Sequence, residues 1–331
     1  MEIKTWQEIY KDLKRVTDKK DFFFKREVVS YDEGNIVALK NNFEEFEQPI
    51  TTHAFYQLLQ KANMPRRYFE RLRQERQHRL IRNNVTYNMT KKDPDKKLFI
   101  RTANIDGDKK VRAVLSDKYS AIENEELLEI IYENIEDEGS ITSYYNDFKT
   151  MFLRIVFEKI DHKQAYVGDE LACGILITNS EVGTCGIRIA PTVLRLVCNN
   201  GMTAWKTLGN KNNYYRKHIG LDKDELYDFA AVAINKAKKK ATEQSKLLKK
   251  SKETKLEKGE TVIENILKDK NITKSIVEKT KEIWNTEWDS KNNLYAVINS
   301  ITRVARDLNI DDKIHVESVV GDYLNSCDLV A

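Results

Sequence analysis

The sequence predicts an α+β fold, in which a mostly antiparallel sheet with packed helices is followed by a helical C-terminal region. Residues 171–202 are the least charged and most β-prone stretch of a chain in which 33% of the residues are charged. Short apolar runs alternate there with turns that contain Asn and Gly. From about Leu221 onward, apolar residues recur with helical spacing instead. Strands followed by helices are typical of the α+β class.

Length and composition fit a folded protein rather than a disordered one. The 331 residues are 40% hydrophobic and carry a net charge of +4, which permits a nucleic-acid partner without requiring one. We divide the chain into an α+β core domain over 1–220 and a helical region with a Lys-rich helix over 221–331. Because Pro and Gly are scarce, a low-complexity chain is not expected.

The cysteines and the N-terminus indicate a cytoplasmic protein without a bound metal or other cofactor. The four cysteines form no CxxC motif and no Cys/His pair, so we expect reduced thiols and no zinc site. No apolar segment follows the first charged residues, and no run of about 18 apolar residues is present. We therefore expect a soluble protein with no membrane contact.

The first strands and helices follow from local patterns. Residues 1–15 place apolar side chains on one helical face. Strands are expected on both sides of the turn 32–35 and of Asp106-Gly107, since Asp-Gly favours a hairpin.

Further helices have recognisable first residues. Thr51 or Thr52 can cap one helix, and Pro65 starts another over 65–84, because a missing N–H costs nothing in the first turn. Asn124 can cap a third helix, which ends at Gly139.

Some of the remaining elements have a clear sequence pattern and others an ambiguous one. Residues 140–159 alternate as one strand, whereas Pro191–Leu194 fit either a strand or a short helix. The helix after Leu221 has a seam of small residues and continues into the Lys-rich stretch up to Gly259. Two or three more helices follow, and the last of them carries a heptad-like stripe over 294–308.

Two basic segments favour nucleic-acid binding. The predicted helix 65–84 carries Arg66, Arg67 and Arg71, whose forked donors suit phosphate oxygens, with Tyr68 close by for stacking. The alternative is a solvated helix face whose arginines pair with neighbouring glutamates.

The second basic segment is 236–258, where ten lysines face three glutamates, and its candidate contacts are Lys238, Lys239 and Lys240. Here too the alternative is an exposed, solvated helix.

A third group of candidates lies on the predicted strand 140–159 and in the loop before Asn124. Tyr144, Tyr145 and Arg154 combine aromatic rings with a cation, as single-strand-binding sheets do, and Tyr119 is a further stacking candidate. The alternative is that these aromatic residues belong to the core.

Signals of catalysis are weak. The five histidines are dispersed, and neither a nucleophile motif nor a phosphate-binding glycine loop is present. Asp117, Glu170 and Glu181 can in principle gather around a divalent metal, but turn and capping roles explain them better. Glu181, for example, can cap a neighbouring helix from the turn 179–183. Whether the protein is an enzyme stays open, with a non-enzymatic role favoured.

Three segments resemble the phage/plasmid-like protein family, known mainly as a domain of unknown function in phages and mobile elements. They are VRAVLSDKYSAIENEELL over 111–128, GILITNSEVGTCGIRIAPTVLRLVCNNGM over 174–202, and NLYAVINSITRVARDL over 293–308. The resemblance implies a mobile-element protein that acts inside a bacterial cell, often encoded near replication or recombination functions. The loop–helix–strand pattern also looks loosely like that of phage single-strand annealing proteins.

These observations lead to three hypotheses. The first is a non-enzymatic protein that binds nucleic acid, with single-stranded DNA favoured, and that anneals strands in recombination or replication as a possible homo-oligomer. Its C-terminal helical stripe would then supply contacts between copies. The second is a metal-dependent nuclease-like enzyme, and the third is a module that binds a host protein.

Overall fold

The computed structural model describes residues 5–40, 44–91, 93–135, 139–157, 171–195, 200–203, 214–268 and 272–327. Within these residues the helices are α1 (Trp6–Leu13), α2 (Thr52–Lys61), α3 (Arg66–Gln74), α4 (His78–Lys91), α5 (Asn124–Ile135), α6 (Lys223–Lys250), α7 (Gly259–Ile266), α8 (Lys274–Glu287), α9 (Leu294–Ala305) and α10 (Ile310–Ser326). The strands are β1 (Val16–Lys25), β2 (Val29–Asp32), β3 (Asn35–Lys40), β4 (Glu44–Pro49), β5 (Lys97–Ile105), β6 (Asp108–Ser116), β7 (Gly139–Asn146), β8 (Met151–Phe157), β9 (Leu171–Asn179), β10 (Ile187–Arg195), β11 (Asn200–Thr203) and β12 (Tyr215–Arg216).

The strands form three antiparallel sheets, which confirms the predicted α+β class with a helical C-terminal region. The central sheet has the order β11-β10-β9-β8-β7, and β12 pairs with β10. A second sheet has the order β1-β5-β6, and a third the order β2-β3-β4. None of the helices in the described ranges is both long and apolar enough to cross a membrane.

Helix α6 joins the helical region to the central sheet. It packs on β9 and β10, and its alanines Ala230, Ala233 and Ala237 are fully buried in the core beneath that sheet. Small side chains at this spacing allow a helix to approach a sheet closely. Farther along α6, Ala241 and Leu248 belong to a second core, which they share with the C-terminal helices.

The heptad-like stripe of the C-terminal region lies inside the fold. Helix α9 packs against α7, α8 and α10, and almost every one of its side chains is buried. A helix that is buried all round is a core element rather than an amphipathic surface helix. The stripe that suggested contacts between copies is therefore covered by this chain's own helices.

Two turns that the sequence predicts in the first half of the chain are present in the structure. The hairpin at Asp106-Gly107 is confirmed, and both residues adopt the positive φ values, 52° and 90°, that its turn requires. The turn at 32–35 is also confirmed, with Gly34 at a φ of 103°. Pro191–Leu194, which the sequence left open, belong to strand β10.

The prediction of one basic helix over 65–84 is wrong. Helix α3 ends at Gln74, where Arg76 takes a φ of 55° and the N–H of Gln77 donates to the carbonyl of Leu72 at 2.8 Å. This left-handed residue closes α3, and α4 starts afresh at His78. Pro65 precedes the first helical residue, Arg66, instead of occupying the first turn.

The prediction of one strand over 140–159 is also wrong. Strands β7 and β8 form a hairpin, whose turn is closed by Asp147. The carboxylate oxygen Oδ1 of Asp147 accepts the N–H groups of Lys149 at 3.0 Å and Thr150 at 2.8 Å, while Phe148 has a φ of 67°. An Asp side chain that bonds to following backbone groups is a common way of stabilising a tight turn.

A buried ion pair fastens α10 to the central sheet. Arg154 on β8 donates to the carboxylate of Glu317 on α10, and both side chains are at most 1% exposed. Lys313, one turn before Glu317, lies 4.0 Å from the same carboxylate. Burial lowers the pKa of Lys313, and the nearby Glu317 carboxylate opposes that shift. Because neither the Arg154 guanidinium nor the Glu317 carboxylate is solvated by water, each charge is stabilised by the other.

We expect Glu317→Gln to lower the free energy of unfolding by about 3–5 kcal/mol, because it leaves the Arg154 guanidinium buried without a counter-charge. Urea titration measures this change. Asp307→Asn, which breaks an exposed pair with Arg303 at 2.8 Å, is the control and should cost less than about 1 kcal/mol. Equal losses in the two variants would show that the buried pair does not hold α10 in place.

Candidate functional site

The first residues of the turn that joins β9 to β10 are buried, whereas Gly183 and Thr184 are exposed. Asn179, Ser180 and Glu181 are between 0% and 5% exposed, although all three are polar. Buried polar groups must find partners within the protein. The contacts of this turn therefore define an internal network, which we call the Glu181 network: Lys19, Asp21, Arg101, Arg112, Glu123, Glu125 and Glu181.

Glu181 caps helix α5 through space. Its Oε1 accepts the N–H of Asn124 at 2.8 Å, and its Oε2 accepts from the Arg112 guanidinium. A carboxylate is favourable at the positive end of a helix. The capping role predicted for Glu181 is thus confirmed. Asn124 is the first residue of α5 rather than its cap, and its Oδ1 accepts from the amide of Asn179 at 2.9 Å.

Two arginines on neighbouring strands surround the turn. Arg101 on β5 donates to Asp21 at 2.8 Å, to the carbonyl of Glu181 at 2.8 Å, and to Glu123. Arg112 on β6 pairs with Glu181 and, at 3.4 Å, with Glu123. Burial alone would raise the pKa of Glu123, but the charges of Arg101, Arg112 and Lys19 outweigh it and hold that pKa well below its usual value.

Lys19 occupies the centre of three carboxylates. Its Nζ lies 2.9 Å from Glu123, 2.9 Å from Glu125 and 3.2 Å from Glu181. The carboxylate oxygens of these glutamates lie within 4.8 Å of one another, a spacing that would suit a metal ion. Here the lysine ammonium of the chain itself supplies the positive charge.

The residues of the nuclease hypothesis do not meet as a metal site in the described part of the chain. Asp117 is exposed on the loop after β6, and Glu170 lies outside the described residues, as do Cys198 and Asn199 of the second turn motif. Both oxygens of Glu181 are engaged in the network. Of the predicted carboxylates, Glu181 therefore has a structural role.

An acidic groove opens on the solvent side of the network. It has a volume of about 500 Å³ and is lined by Lys19 together with Asp18, Glu123, Glu125, Glu126, Glu129 and Lys223. Its carboxylates outnumber its cations, so it disfavours phosphate groups.

A row of four rings runs alongside the network. Phe23 stacks on Phe99 with centroids 4.7 Å apart, Phe99 lies 6.4 Å from Tyr119, and Tyr119 stacks on His218 at 4.9 Å. The Tyr119 hydroxyl donates to the carbonyl of Ser180 at 2.6 Å. Tyr119, predicted to stack on a base, is thus half-buried and anchored to the turn.

His218 closes the inner end of this row. It is 3% exposed, and its Nδ1 lies 3.1 Å from the carbonyl of Ser120, so Nδ1 carries the proton of the neutral ring. Burial lowers the pKa of His218, since a charged imidazole is poorly solvated there.

The aromatic and cationic candidates on β7 and β8 mostly face the interior. Tyr144 is buried, and its hydroxyl donates to Asp12 at 2.9 Å. Arg154 is buried in its pair with Glu317, while Tyr145 is half-buried. These three side chains do not form an open cationic platform.

Helices α3 and α4 present an exposed basic surface, which we call the arginine surface: Arg66, Arg67, Arg71, Arg73, Arg76, Arg79 and Arg82 are all exposed. Arg66 pairs with Glu70 at 2.8 Å and covers the ring of Tyr56 at 3.7 Å. Among the described residues, Arg67, Arg76 and Arg79 have no acidic group within ion-pair distance. Two tyrosines of these helices are also exposed, Tyr68 by 39% and Tyr87 by 58%.

The lysines of α6 are partly engaged. Lys238 lies over the ring of Phe157 at 4.8 Å, and Lys240 pairs with Glu243 at 3.1 Å. Lys239 is exposed and, within the described chain, has no ion-pair partner. The Lys-rich segment therefore combines contacts within the fold with exposed positive charge.

Comparison with known proteins identifies a family but no activity. Residues 111–309 match the model of a domain of unknown function (DUF932), and since this covers more than half of the chain, the chain belongs to that family. No curated protein and no solved structure matches it. The matched region contains Arg112, Glu123 and Glu181, whereas Lys19, Arg101 and the arginine surface precede it.

We expect Glu181→Gln to lower the free energy of unfolding by about 3–5 kcal/mol, because Arg112 and Lys19 then lose a buried counter-charge. Asp106→Asn is the matched control: Asp106 pairs with Arg15 at the surface, and Asn is well tolerated in its turn, so the loss should stay below about 1 kcal/mol. Urea titration of both variants measures the two losses in the free energy of unfolding. A loss for Glu181→Gln no larger than the control's would contradict a structural role for the network.

The buried imidazole of His218 makes stability depend on pH. Below its ordinary pKa of 6.5, the unfolded chain takes up a proton at His218 that the folded chain resists, so acidification favours unfolding. The stability advantage of wild type over His218→Asn, which does not titrate, should therefore shrink between pH 7.5 and pH 5. Urea titrations at both pH values measure it. A difference that stays constant with pH would show that His218 is freely protonated in the folded protein.

Proposed function

We propose that this chain, as a member of the DUF932 family, is a nucleic-acid-binding protein that favours single-stranded DNA and acts without catalysis of its own. The setting we propose is the cytoplasm of a bacterial host of a phage or mobile element, where the protein anneals or protects strands during recombination or replication. The resemblance of residues 111–128, 174–202 and 293–308 to phage and plasmid proteins supports this setting.

The observation that carries the proposal is the arginine surface. Its seven arginines are exposed on α3, on α4 and in the turn between them, and this segment, 66–91, contains only two acidic residues, Glu70 and Glu75. Phosphate contacts dominate the affinity of proteins for nucleic acids, and Arg suits them because its planar fork matches two oxygens. Among the described residues, four of these arginines have no acidic side chain within ion-pair distance: Arg67, Arg73, Arg76 and Arg79.

The helices that carry the arginines are anchored in an apolar core. Phe69 and Leu72 of α3 and Ile81, Val85 and Met89 of α4 are buried in one apolar core. The left-handed residue Arg76 lies between the two helices, and the arginines on both sides of it are exposed. Preorganised side-chain positions reduce the entropy that binding must overcome.

Exposed aromatic rings beside the arginines favour a single strand over a duplex. Tyr68 and Tyr87 present ring surface on the same two helices, and the Lys91 ammonium lies over the Tyr87 ring at 5.2 Å. Unpaired bases stack on such rings, whereas bases inside a duplex are already stacked. The exposed lysines of α6, Lys239 among them, add a second region of positive charge.

The variant Arg67→Gln/Arg76→Gln/Arg79→Gln tests the proposal and breaks no ion pair among the residues that the structure describes. The affinity for a labelled oligo-dT strand should fall, and the slope of log affinity against log salt should shrink by about 2, because each lost phosphate contact removes about 0.7 for single strands. Fluorescence anisotropy over a salt series gives both quantities.

The control is Lys268→Gln/Lys274→Gln/Lys279→Gln, which removes the same charge from exposed positions on and before α8. It should bind like wild type. Equal losses in the two variants would point to non-specific attraction, and absence of binding at low salt would contradict the proposed function. In that case a host protein becomes the partner to search for.

A further inference from the structure

We infer that Phe23 is the platform on which one unpaired base of the bound strand stacks, with Lys96 and Lys97 contacting the flanking phosphates. This inference rests on the proposed function and gives it a second point of contact, at the end of the β1-β5-β6 sheet.

Phe23 is the exposed end of an otherwise covered row of rings. It is 54% exposed, whereas Phe99 beneath it is 3% exposed. The two ring planes are within 9° of parallel, at a centroid distance of 4.7 Å. The outer face of the Phe23 ring is therefore open to a planar ligand, and unpaired bases stack on exposed aromatic faces.

The row behind Phe23 is anchored to the turn between β9 and β10. Phe99 adjoins Tyr119, whose hydroxyl bonds to the carbonyl of Ser180 at 2.6 Å and whose ring stacks on His218. The position of Phe99 is therefore set before any ligand binds, and Phe99 in turn orients Phe23. A ring supported in this way can accept a base without rearrangement of the protein.

Positive charge borders the platform. In the pairing of β1 with β5, Phe23 lies opposite Phe99, and Lys25 lies opposite Lys97 two residues farther along the same face. Lys25 is already paired with Asp95 at 2.6 Å. Lys96 and Lys97 are exposed, and neither has an ion-pair partner among the described residues.

A third lysine extends this charge toward the arginine surface. The N–H of Arg26 donates to the carbonyl of Lys96 at 2.9 Å. Burial, followed by the charges of Lys96 and Arg26, lowers the pKa of Lys61, and the charge of Asp117 opposes this shift. Arg26 also donates to the carbonyl of Lys61, the last residue of α2, at 2.6 Å. Helix α3 begins at Arg66, only a few residues later, so the platform and the arginines lie at the two ends of a short basic stretch.

The experiment compares Phe23→Ala, Phe23→Trp and the control Tyr132→Ala in oligo-dT binding over a salt series. Phe23→Ala should bind the strand at least about fivefold more weakly than wild type, because the stacking of one base is lost. The slope of log affinity against log salt should stay unchanged, since no phosphate contact is lost. Phe23→Trp should bind at least as tightly as wild type. Tyr132→Ala, which removes an aromatic ring that is 42% exposed on α5, should have no effect.

Ultraviolet cross-linking provides a second readout on the unmodified protein. A thymine strand should cross-link to the peptide that contains Phe23, as identified by mass spectrometry. If Phe23→Ala binds like wild type, or if no cross-link forms there, the inference is overturned while the proposed function stands. If Phe23→Ala does not fold, the cross-link and the affinity of Phe23→Trp test the inference instead. If wild type itself fails to bind, the proposed function has failed instead.

Discussion

The structure depends on the burial of one carboxylate, that of Glu181. A buried charge is tolerated only where opposite charges and hydrogen-bond donors surround it. Glu181 meets this requirement with Arg112 from β6, Lys19 from β1 and the first N–H of α5. These partners are far apart in the chain, so one ionised group joins the β1-β5-β6 sheet, the central sheet and α5.

The same constraint separates the scaffold from the surfaces available to a ligand. The carboxylates that would otherwise suit a cation are neutralised by Lys19, Arg101 and Arg112, and the groove beside them keeps an acidic lining. Among the described residues, basic side chains without acidic partners lie elsewhere, around α3 and α4 and at Lys96 and Lys97. We therefore expect a polyanion to avoid the acidic groove and to approach these basic residues.

Turns and helix patterns that are set by neighbouring residues could be predicted from the sequence. The Asp106-Gly107 hairpin and the small-residue seam of α6 each depend on neighbouring residues alone. Arg76 and Phe148 carry no comparable signal, because non-glycine residues rarely adopt positive φ, and the breaks that they introduce were missed. The burial of Arg154 and the exposure of Phe23 depend on distant elements, α10 in the first case and a free sheet edge in the second.

Hydrogen–deuterium exchange with and without a saturating oligo-dT strand tests most directly whether the Glu181 network is scaffold and the basic surfaces are the site. We expect slower exchange on binding in peptides that cover 61–91 and 21–27, with 121–126 and 177–184 already protected and unchanged. Protection that appears mainly in 121–126 and 177–184, with none over 61–91, would contradict this expectation and place the ligand at the network.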